Sequence, residues 1–263
     1  MVRRVVQIVV GVLAVWLVVL VVLGFTHAAR TGRQVADRFG DSLQGSATFT
    51  GADLSLVRGA LDLQDLAVRR DDVLGKLSLD VAGVSCDLPP LGLALVDRDC
   101  SELSIDGMRL EVSALALLRP RKGKRPPMRA DRVVIRDAVL GFGASAFAPN
   151  LGRVQIRVER AVAGPTRFRT PLSWLFALRE LRASFDLPAG LTVHLVYRGG
   201  MMSAAGSLFG SEPVEIPVSL PVREAADDGA AELRRLVEFG KRVAEELVAR
   251  RAQEWLRSKL PGR

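Results

Sequence analysis

The sequence has few of the residues that carry catalysis or metal chemistry. It contains two histidines and two cysteines, and aromatic residues make up only 5% of it. His27 and His194 accompany no nucleophile motif, because the nearest serine string, 143–147, lacks the second glycine of a GxSxG turn. Walker loops, GxGxxG fingerprints and Cys/His metal spacings do not occur. We therefore predict that the protein is not an enzyme and uses no cofactor or metal.

One long apolar run lies near the N-terminus. Val5–Phe25 comprises 21 residues, and Gln7 is its only strongly polar member. As a helix it would extend about 32 Å, which is enough to cross the hydrocarbon core of a bilayer. A cleaved signal peptide is the alternative, but its apolar region is shorter. We predict a cytoplasmic tip and transmembrane anchor over 1–27 and a connector over 28–45.

The charges beside this run do not decide its orientation. Arg3 and Arg4 precede it, while Arg30, Arg33 and Arg38 follow it. Long domains cross membranes largely regardless of their charge, and the tail before the run is too short to be the working part. We therefore expect the N-terminus in the cytoplasm and the bulk of the chain outside it.

From 46 to 223 apolar residues alternate with polar ones in many short segments. LSLDV at 77–81 and LTVHL at 191–195 are examples. Such alternation is typical of strands with one face against apolar material and the other in water. Glycines and prolines separate these segments where hairpin turns are expected. We predict a mainly β domain of mostly antiparallel strands over 46–223, with a short helix at Pro171–Leu181.

Three of these segments share an internal repeat: LDLQDLAV at 61–68, LSIDGMRL at 103–110 and VVIRDAVL at 133–140. Apolar residues stand at positions one, three, six and eight, and the fifth is Asp or Gly. Because the two halves are out of phase, each strand must bulge or bend between them to keep its apolar residues on one face. Gly107 allows such a kink at little cost. The repeat predicts one long, curved, twisted sheet.

The apolar face of such a sheet has two interpretations. It can stay open as a taco-like groove, or the protein can close into a β-sandwich that buries it. An aliphatic groove with few aromatics suits acyl chains better than ring-shaped ligands. The candidate lining residues are Leu61, Leu63, Leu79, Val81, Leu103, Ile105, Ile135, Val193 and Leu195.

The two cysteines, Cys86 and Cys100, are 14 positions apart. In an oxidising compartment they would form a disulfide, which stabilises a fold by about 3 kcal/mol for a loop of this size in the chain-entropy model. Two buried free thiols are the alternative.

Positive charge is concentrated in a proline-rich basic loop over 119–129. The net charge is +8, and this loop contains no acidic residue. An anionic lipid surface is its candidate partner, because nucleic acid is not expected outside the cytoplasm; a merely solvated loop is the alternative. The candidate contacts are Arg119, Arg121, Lys122, Lys124, Arg125 and Arg129.

The last segment, 224–263, predicts an amphipathic C-terminal helix. Its apolar stripe comprises Leu233, Leu236, Val237, Val243, Leu247 and Val248. The stripe either covers an edge of the sheet or, with the basic residues of the tail, lies on a membrane surface.

The layout resembles the N-terminal part of AsmA-like proteins, relatives of TamB and of the eukaryotic bridge-like lipid transfer proteins. The resemblance covers about Met1–Val112 and depends on the N-terminal span, the apolar segment Leu88–Leu95 and the strand that continues from Ile105-Asp106-Gly107 to Val112. It departs from the family in lacking a Gly-and-Asn-Trp turn after the first strands, and the chain is much shorter than the long members.

This resemblance implies a single-pass protein of the bacterial inner membrane with a periplasmic β-groove. The groove would hold phospholipid acyl chains and take part in phospholipid transport or outer-membrane assembly, with other envelope proteins as candidate partners. The alternative is an anchored structural scaffold with a closed β-sandwich and a partner-binding C-terminal helix.

Overall fold

The computed structural model describes ten stretches of the chain: residues 2–55, 59–72, 75–88, 100–112, 129–142, 154–167, 173–187, 191–206, 210–218 and 229–259. Two long helices are present at its ends, α1 (Val2–Leu43) and α2 (Gly229–Lys259). Between them the strands are β1 (Ser46–Thr48), β2 (Gly51–Ser55), β3 (Ala60–Asp72), β4 (Gly75–Asp87), β5 (Cys100–Val112), β6 (Arg129–Phe142), β7 (Val154–Ala163), β8 (Thr166–Arg167), β9 (Leu178–Leu187), β10 (Leu191–Arg198), β11 (Met201–Gly206) and β12 (Gly210–Pro217).

All these strands belong to one open, mixed sheet of 12 strands in the order β1-β3-β4-β5-β6-β7-β9-β10-β11-β12. Strand β2 continues the line of β1 along β3, and β8 pairs with β6. Every pair is antiparallel except β5–β6, which is parallel. The mainly β, mostly antiparallel prediction is confirmed. The closed β-sandwich is wrong, because the strands that the structure describes follow a single hydrogen-bonded path in one open sheet.

The predicted bends occur at the fifth position of each repeat. Asp65, Gly107 and Asp137 have φ angles of 50°, 65° and 52°. On either side of each bend the apolar residues of the repeat are buried, so both halves of the strand face the same way. The left-handed backbone absorbs the change of phase. The prediction that these three strands bend is confirmed.

The bends lie side by side in the sheet. Gln64, Gly83, Asp106 and Arg136, which flank them, are successive partners across β3, β4, β5 and β6. Strand β4 shows the same spacing of buried residues without a positive φ, at Leu79, Val81, Val84 and Cys86. One line of phase changes therefore crosses four neighbouring strands.

Helix α1 changes direction by 42° between Val10–Gly24 and Thr26–Asp41. The hydroxyl of Thr26 donates to the carbonyl oxygen of Val22 at 3.0 Å or of Leu23 at 3.1 Å. Hydrogen bonds of this type compete with the helical ladder and bend helices. The helix thus has two parts that differ in direction, 10–24 and 26–41.

The second part of α1 packs on the first strands of the sheet. Small residues recur every fourth position at Ala28, Gly32, Ala36 and Gly40, and all four are buried. A Cβ at Gly32 would lie 2.7 Å from the Cβ of Ala52 on β2, so the backbone of the helix touches the sheet directly. The predicted connector 28–45 is therefore helical up to Leu43 and forms part of the core.

A buried arginine fixes the end of this helix. Arg70 of β3 is only 9% exposed, and its Nη1 donates to the carbonyl oxygen of Leu43 at 3.2 Å. The last carbonyl groups of a helix have no partner within it and carry a partial negative charge. The cation therefore satisfies a helix terminus and joins α1 to β3.

A short 3₁₀ helix covers Ser173–Ala177, and β9 begins immediately after it. The predicted helix over Pro171–Leu181 is thus shorter than expected among the described residues, and its last four positions are strand. Trp174 packs into the main core, and the N–H of Gly164 donates to the carbonyl oxygen of Ala177 at 2.8 Å.

Candidate apolar binding face

The candidate lining residues lie on one face of the sheet. Leu63, Ile105 and Ile135 belong to a single row of cross-strand partners that runs from β3 to β12. The complete row is Leu63, Val84, Ile105, Ile135, Ala161, Leu181, Tyr197, Met202 and Ile216. Partners in such a row point the same way, so the apolar face is continuous across nine strands.

This face comprises two clusters of buried side chains. The larger one includes seven of the nine candidates: Leu61, Leu63, Leu79, Val81, Leu103, Ile105 and Ile135. The smaller one lies on β10–β12, and the half-buried Leu195 packs against it; Val193 is buried as well. Leu178 and Leu181 contact both clusters and connect them.

Eight of the nine candidate side chains are buried, and Leu195 is half-buried. Leu63 and Ile135 are each 1% exposed, and the remaining members of the larger cluster are buried too. These side chains are therefore packed against the rest of the protein in this conformation. An acyl chain can reach them only where the sheet moves away from what covers it.

The opposite face of the sheet is polar and charged. Ion pairs join neighbouring strands directly across the ladder: Glu102 with Arg132 at 3.3 Å and Asp106 with Arg136 at 3.2 Å. His194 is exposed on this side. Exposed pairs of this kind contribute only about 0.2–1 kcal/mol each, so they mark the wet face and do not explain stability.

The two cysteines form a disulfide. The Cα atoms of Cys86 and Cys100 are 5.4 Å apart, within the usual range for a disulfide, and both residues are buried in the larger cluster. The bond joins the end of β4 to the start of β5. It is thus part of the structural interior, which fits the first of the two interpretations drawn from the sequence.

Most of the basic loop 119–129 lies outside the described residues. Of its six candidate contacts, only Arg129 is described; it begins β6, is exposed and pairs with Asp131 at 3.5 Å. The proposed contact of Arg119, Arg121, Lys122, Lys124 and Arg125 with anionic lipid stays a prediction.

The first part of α1 is an exposed apolar surface. Apart from the half-buried Leu20, its large side chains from Val10 to Leu23 lie in the open, with Trp16 at 63% exposure. Among the described residues no single helix is long and apolar enough to cross a membrane, whereas Val10–Gly24 and Thr26–Asp41 meet the requirement together as a bent pair. The transmembrane anchor over 1–27 stays a prediction.

The described part of the chain brings together no set of three His, Cys, Asp or Glu side chains that could hold a metal ion. The prediction of a non-enzymatic protein without cofactor is untested by this observation.

Sequence reasoning missed three features of this face. The small residues at every fourth position from Ala28 to Gly40 are visible in the sequence, but the segment was interpreted as a polar connector. Strand β7 carries the spacing of the repeat at Ile156, Val158, Ala161 and Ala163, although its fifth residue is Arg160 and neither Asp nor Gly. The burial of Arg70 had no signal in the sequence, because only the packing of α1 creates it.

No protein-family model matches this chain, and no curated protein matches its sequence.

Proposed function

We propose that this is a membrane-anchored β-sheet protein whose apolar face holds the acyl chains of lipids. In this proposal, as in the AsmA-like proteins that Met1–Val112 resembles, the first part of α1 crosses the bacterial inner membrane and the sheet lies in the periplasm. The sheet curves at its line of bends into a taco-like groove. The protein takes part in phospholipid transport or outer-membrane assembly.

The observation that carries the proposal is a continuous aliphatic face on a sheet that is not closed. A closed barrel must break ladder hydrogen bonds to open, whereas a single sheet with two free ends can open along one side with its ladder intact. The cost of opening is then the exposure of apolar surface, which an acyl chain offsets by covering it.

The position of α1 supports loading from a membrane. Its exposed apolar part continues, after the bend at residue 25, into the part that packs on β1, β2 and β3. Leu63, a candidate lining residue, contacts the helix at Gly32. The edge of the apolar face is thus attached to the proposed transmembrane segment, and a lipid leaving the bilayer meets the sheet there.

Native mass spectrometry of the full chain, released from mild detergent, tests this proposal. The wild-type protein should retain phospholipid. Met108→Trp fills the apolar face and should lower the retained phospholipid severalfold, whereas the adjacent Arg109→Trp on the exposed face should retain it. Thermal melting of both variants is the control that each of them is folded. Absence of phospholipid from the wild type, or equal retention by folded forms of both variants, would contradict the proposal.

An anchored scaffold is the second candidate function, and the buried state of the lining residues favours it. A packed interior needs no ligand, and the function would then depend on α2 as a partner-binding helix. Removal of 224–263 separates the two candidates: a scaffold loses its complex in cross-linked membranes, whereas a lipid holder still yields phospholipid in the mass spectrum or releases it.

A further inference from the structure

Helix α2 presents apolar residues in two nearly opposite directions. With 3.6 residues per turn, Val243 and Arg250 lie within about 20° of one another around the helix, as do Val248 and Trp255. The second pair is rotated by roughly 140° from the first. Among the described side chains of α2, the first direction contacts the sheet and the second does not.

Two described side chains, Val243 and Arg250, join the sheet-facing side to the sheet. Val243 packs against the smaller cluster, next to the buried side chains of β12. Arg250 donates from Nη1 to the backbone carbonyl oxygen of Glu215, at 3.2 Å, and from Nε to Glu246 at 3.1 Å. These contacts fix which side of α2 turns away from the sheet.

The outward side forms an exposed apolar stripe. Val248 is 65% exposed, Trp255 59% and Leu256 48%, and the exposed Ala252 lies between them on the same side. Single exposed apolar residues are ordinary, but a stripe that includes Trp marks a surface that something covers. Tryptophan is enriched where an apolar medium meets water.

The charges of the helix identify the kind of surface. From Lys241 to Lys259 every acidic side chain has a basic partner on the helix: Glu245 with Lys241, Glu246 with Arg250 and Glu254 with Arg251. Within the described part of the chain, Lys259 has no acidic partner and lies in line with the stripe, about 20° from Val248 around the helix, whereas Arg257 lies on the sheet-facing side with Val243 and Arg250. Lysine is depleted at protein interfaces, whereas cations beside Trp and Leu are typical of helices that lie on anionic bilayers.

We propose that the outward side of α2 lies on the surface of an anionic lipid bilayer, with Val248, Trp255 and Leu256 inserted and Lys259 at the headgroups. In the sheet order α2 contacts the last strand, β12, whereas α1 packs on β1–β3. The protein then touches lipid through helices at both ends of its sheet. This second contact goes beyond the proposed function, since it needs no acyl chain in the sheet.

The test uses the full chain in lipid nanodiscs with an environment-sensitive fluorophore on Ala252→Cys. The two native cysteines are joined to each other, so the added thiol alone reacts. Emission should shift to the blue in nanodiscs that contain phosphatidylglycerol and not in pure phosphatidylcholine. In parallel, neutral nanodiscs carrying the chain are mixed with phosphatidylglycerol vesicles, and co-flotation reports contact with a second bilayer.

Trp255→Glu and Gln253→Glu form a matched pair, because both exposed positions gain one negative charge and only the first loses an inserted side chain. Trp255→Glu should weaken the association at least tenfold, and Gln253→Glu by about fivefold or less, the effect of one charge near an anionic surface. Lys259→Gln should weaken the association and reduce its dependence on salt.

The proposal is supported if either the blue shift or the co-flotation is observed for the wild-type helix and is lost in Trp255→Glu. It is overturned if neither arm shows association, or if the matched variants behave alike. It is also overturned if ultracentrifugation shows a dimer that forms without lipid and disappears with Trp255→Glu, because the stripe then binds a second copy. None of these results depends on phospholipid in the sheet, so the mass spectrometry above can fail independently.

Discussion

The two ends of the sheet both carry a long helix, but the helices relate to the sheet in opposite ways. At the β1–β3 end, α1 contributes Ala28, Val35, Ala36 and Leu43 to the larger cluster of buried side chains. At the β12 end, Val243 is the one described side chain of α2 that packs against a core cluster, and it is only partly buried.

The difference follows from the residues on each helix. Small residues every fourth position let the backbone of α1 approach β2 and β3, and Arg70 holds its end. The sheet-facing side of α2 includes Arg250, which reaches the carbonyl oxygen of Glu215 with the end of its long side chain. A helix becomes core where it offers small residues to a sheet, and stays peripheral where it offers charged ones.

The largest difference in the free energy of unfolding should appear when a leucine is replaced by alanine at each end of the sheet. Leu63→Ala removes a fully buried side chain at the contact with α1 and should lower the free energy of unfolding by about 2–5 kcal/mol. Leu256→Ala, on the exposed side of α2, should change it by less than about 0.5 kcal/mol. Denaturant unfolding of the full chain, followed by circular dichroism, measures both. Equal losses would mean that the two ends do not differ as described.

Loss of the disulfide should weaken the β1–β6 region selectively. Cys86→Ser with Cys100→Ser should cost about 3 kcal/mol, because the unfolded chain regains the freedom that the bond removes. Hydrogen exchange should accelerate in β4 and β5 and change little in β11 and β12, which belong to the other cluster. Uniform acceleration across the sheet would show that the two clusters unfold as one unit.

A third comparison uses two glycines within α1. Gly32→Val should destabilise the protein by about 1–3 kcal/mol, because the added atoms overlap Ala52 and Leu63. Gly11→Val is the control, since a Cβ at that position meets nothing within 4 Å. The thermal melting temperature should fall for the first variant only. A tolerated Gly32→Val would place the second part of α1 off the sheet.

The smallest effect concerns the attachment of α2. Val243→Ala should lower the free energy of unfolding by less than about 1 kcal/mol, since the side chain is only partly buried. Limited proteolysis should nevertheless cut α2 faster in this variant than in the wild type. Val248→Ala, on the outward side, should leave the rate of cleavage in solution unchanged. Acceleration by both variants would contradict the assigned orientation of the helix.

Much of the sheet could be predicted because its pattern is local. The phase change within each repeat required a bend, and Asp65, Gly107 and Asp137 supply it at the expected position. The open edges and the packing of α1 depend on contacts between distant segments, which a pattern of alternating residues does not encode. Burial of the candidate lining residues is likewise a property of what covers the face and not of the strands themselves.

The parallel pairing of β5 and β6 illustrates the same limit. Alternation predicts that both are strands, and it is identical for parallel and antiparallel neighbours. Direction depends on the connection, and a parallel pair needs a crossover of a dozen or more residues. The segment between Val112 and Arg129 is long enough, but its length alone did not distinguish a crossover from a long hairpin loop.

Photo-crosslinking in native membranes tests the central claim most directly. A diazirine amino acid is placed either at Val81, which is buried on the apolar face, or at Ala82, its exposed neighbour on the other face. The account predicts a phospholipid adduct by mass spectrometry at Val81 and little or none at Ala82. A folded protein that forms no adduct at Val81, or equal adducts at both positions, would contradict the claim that this face holds acyl chains.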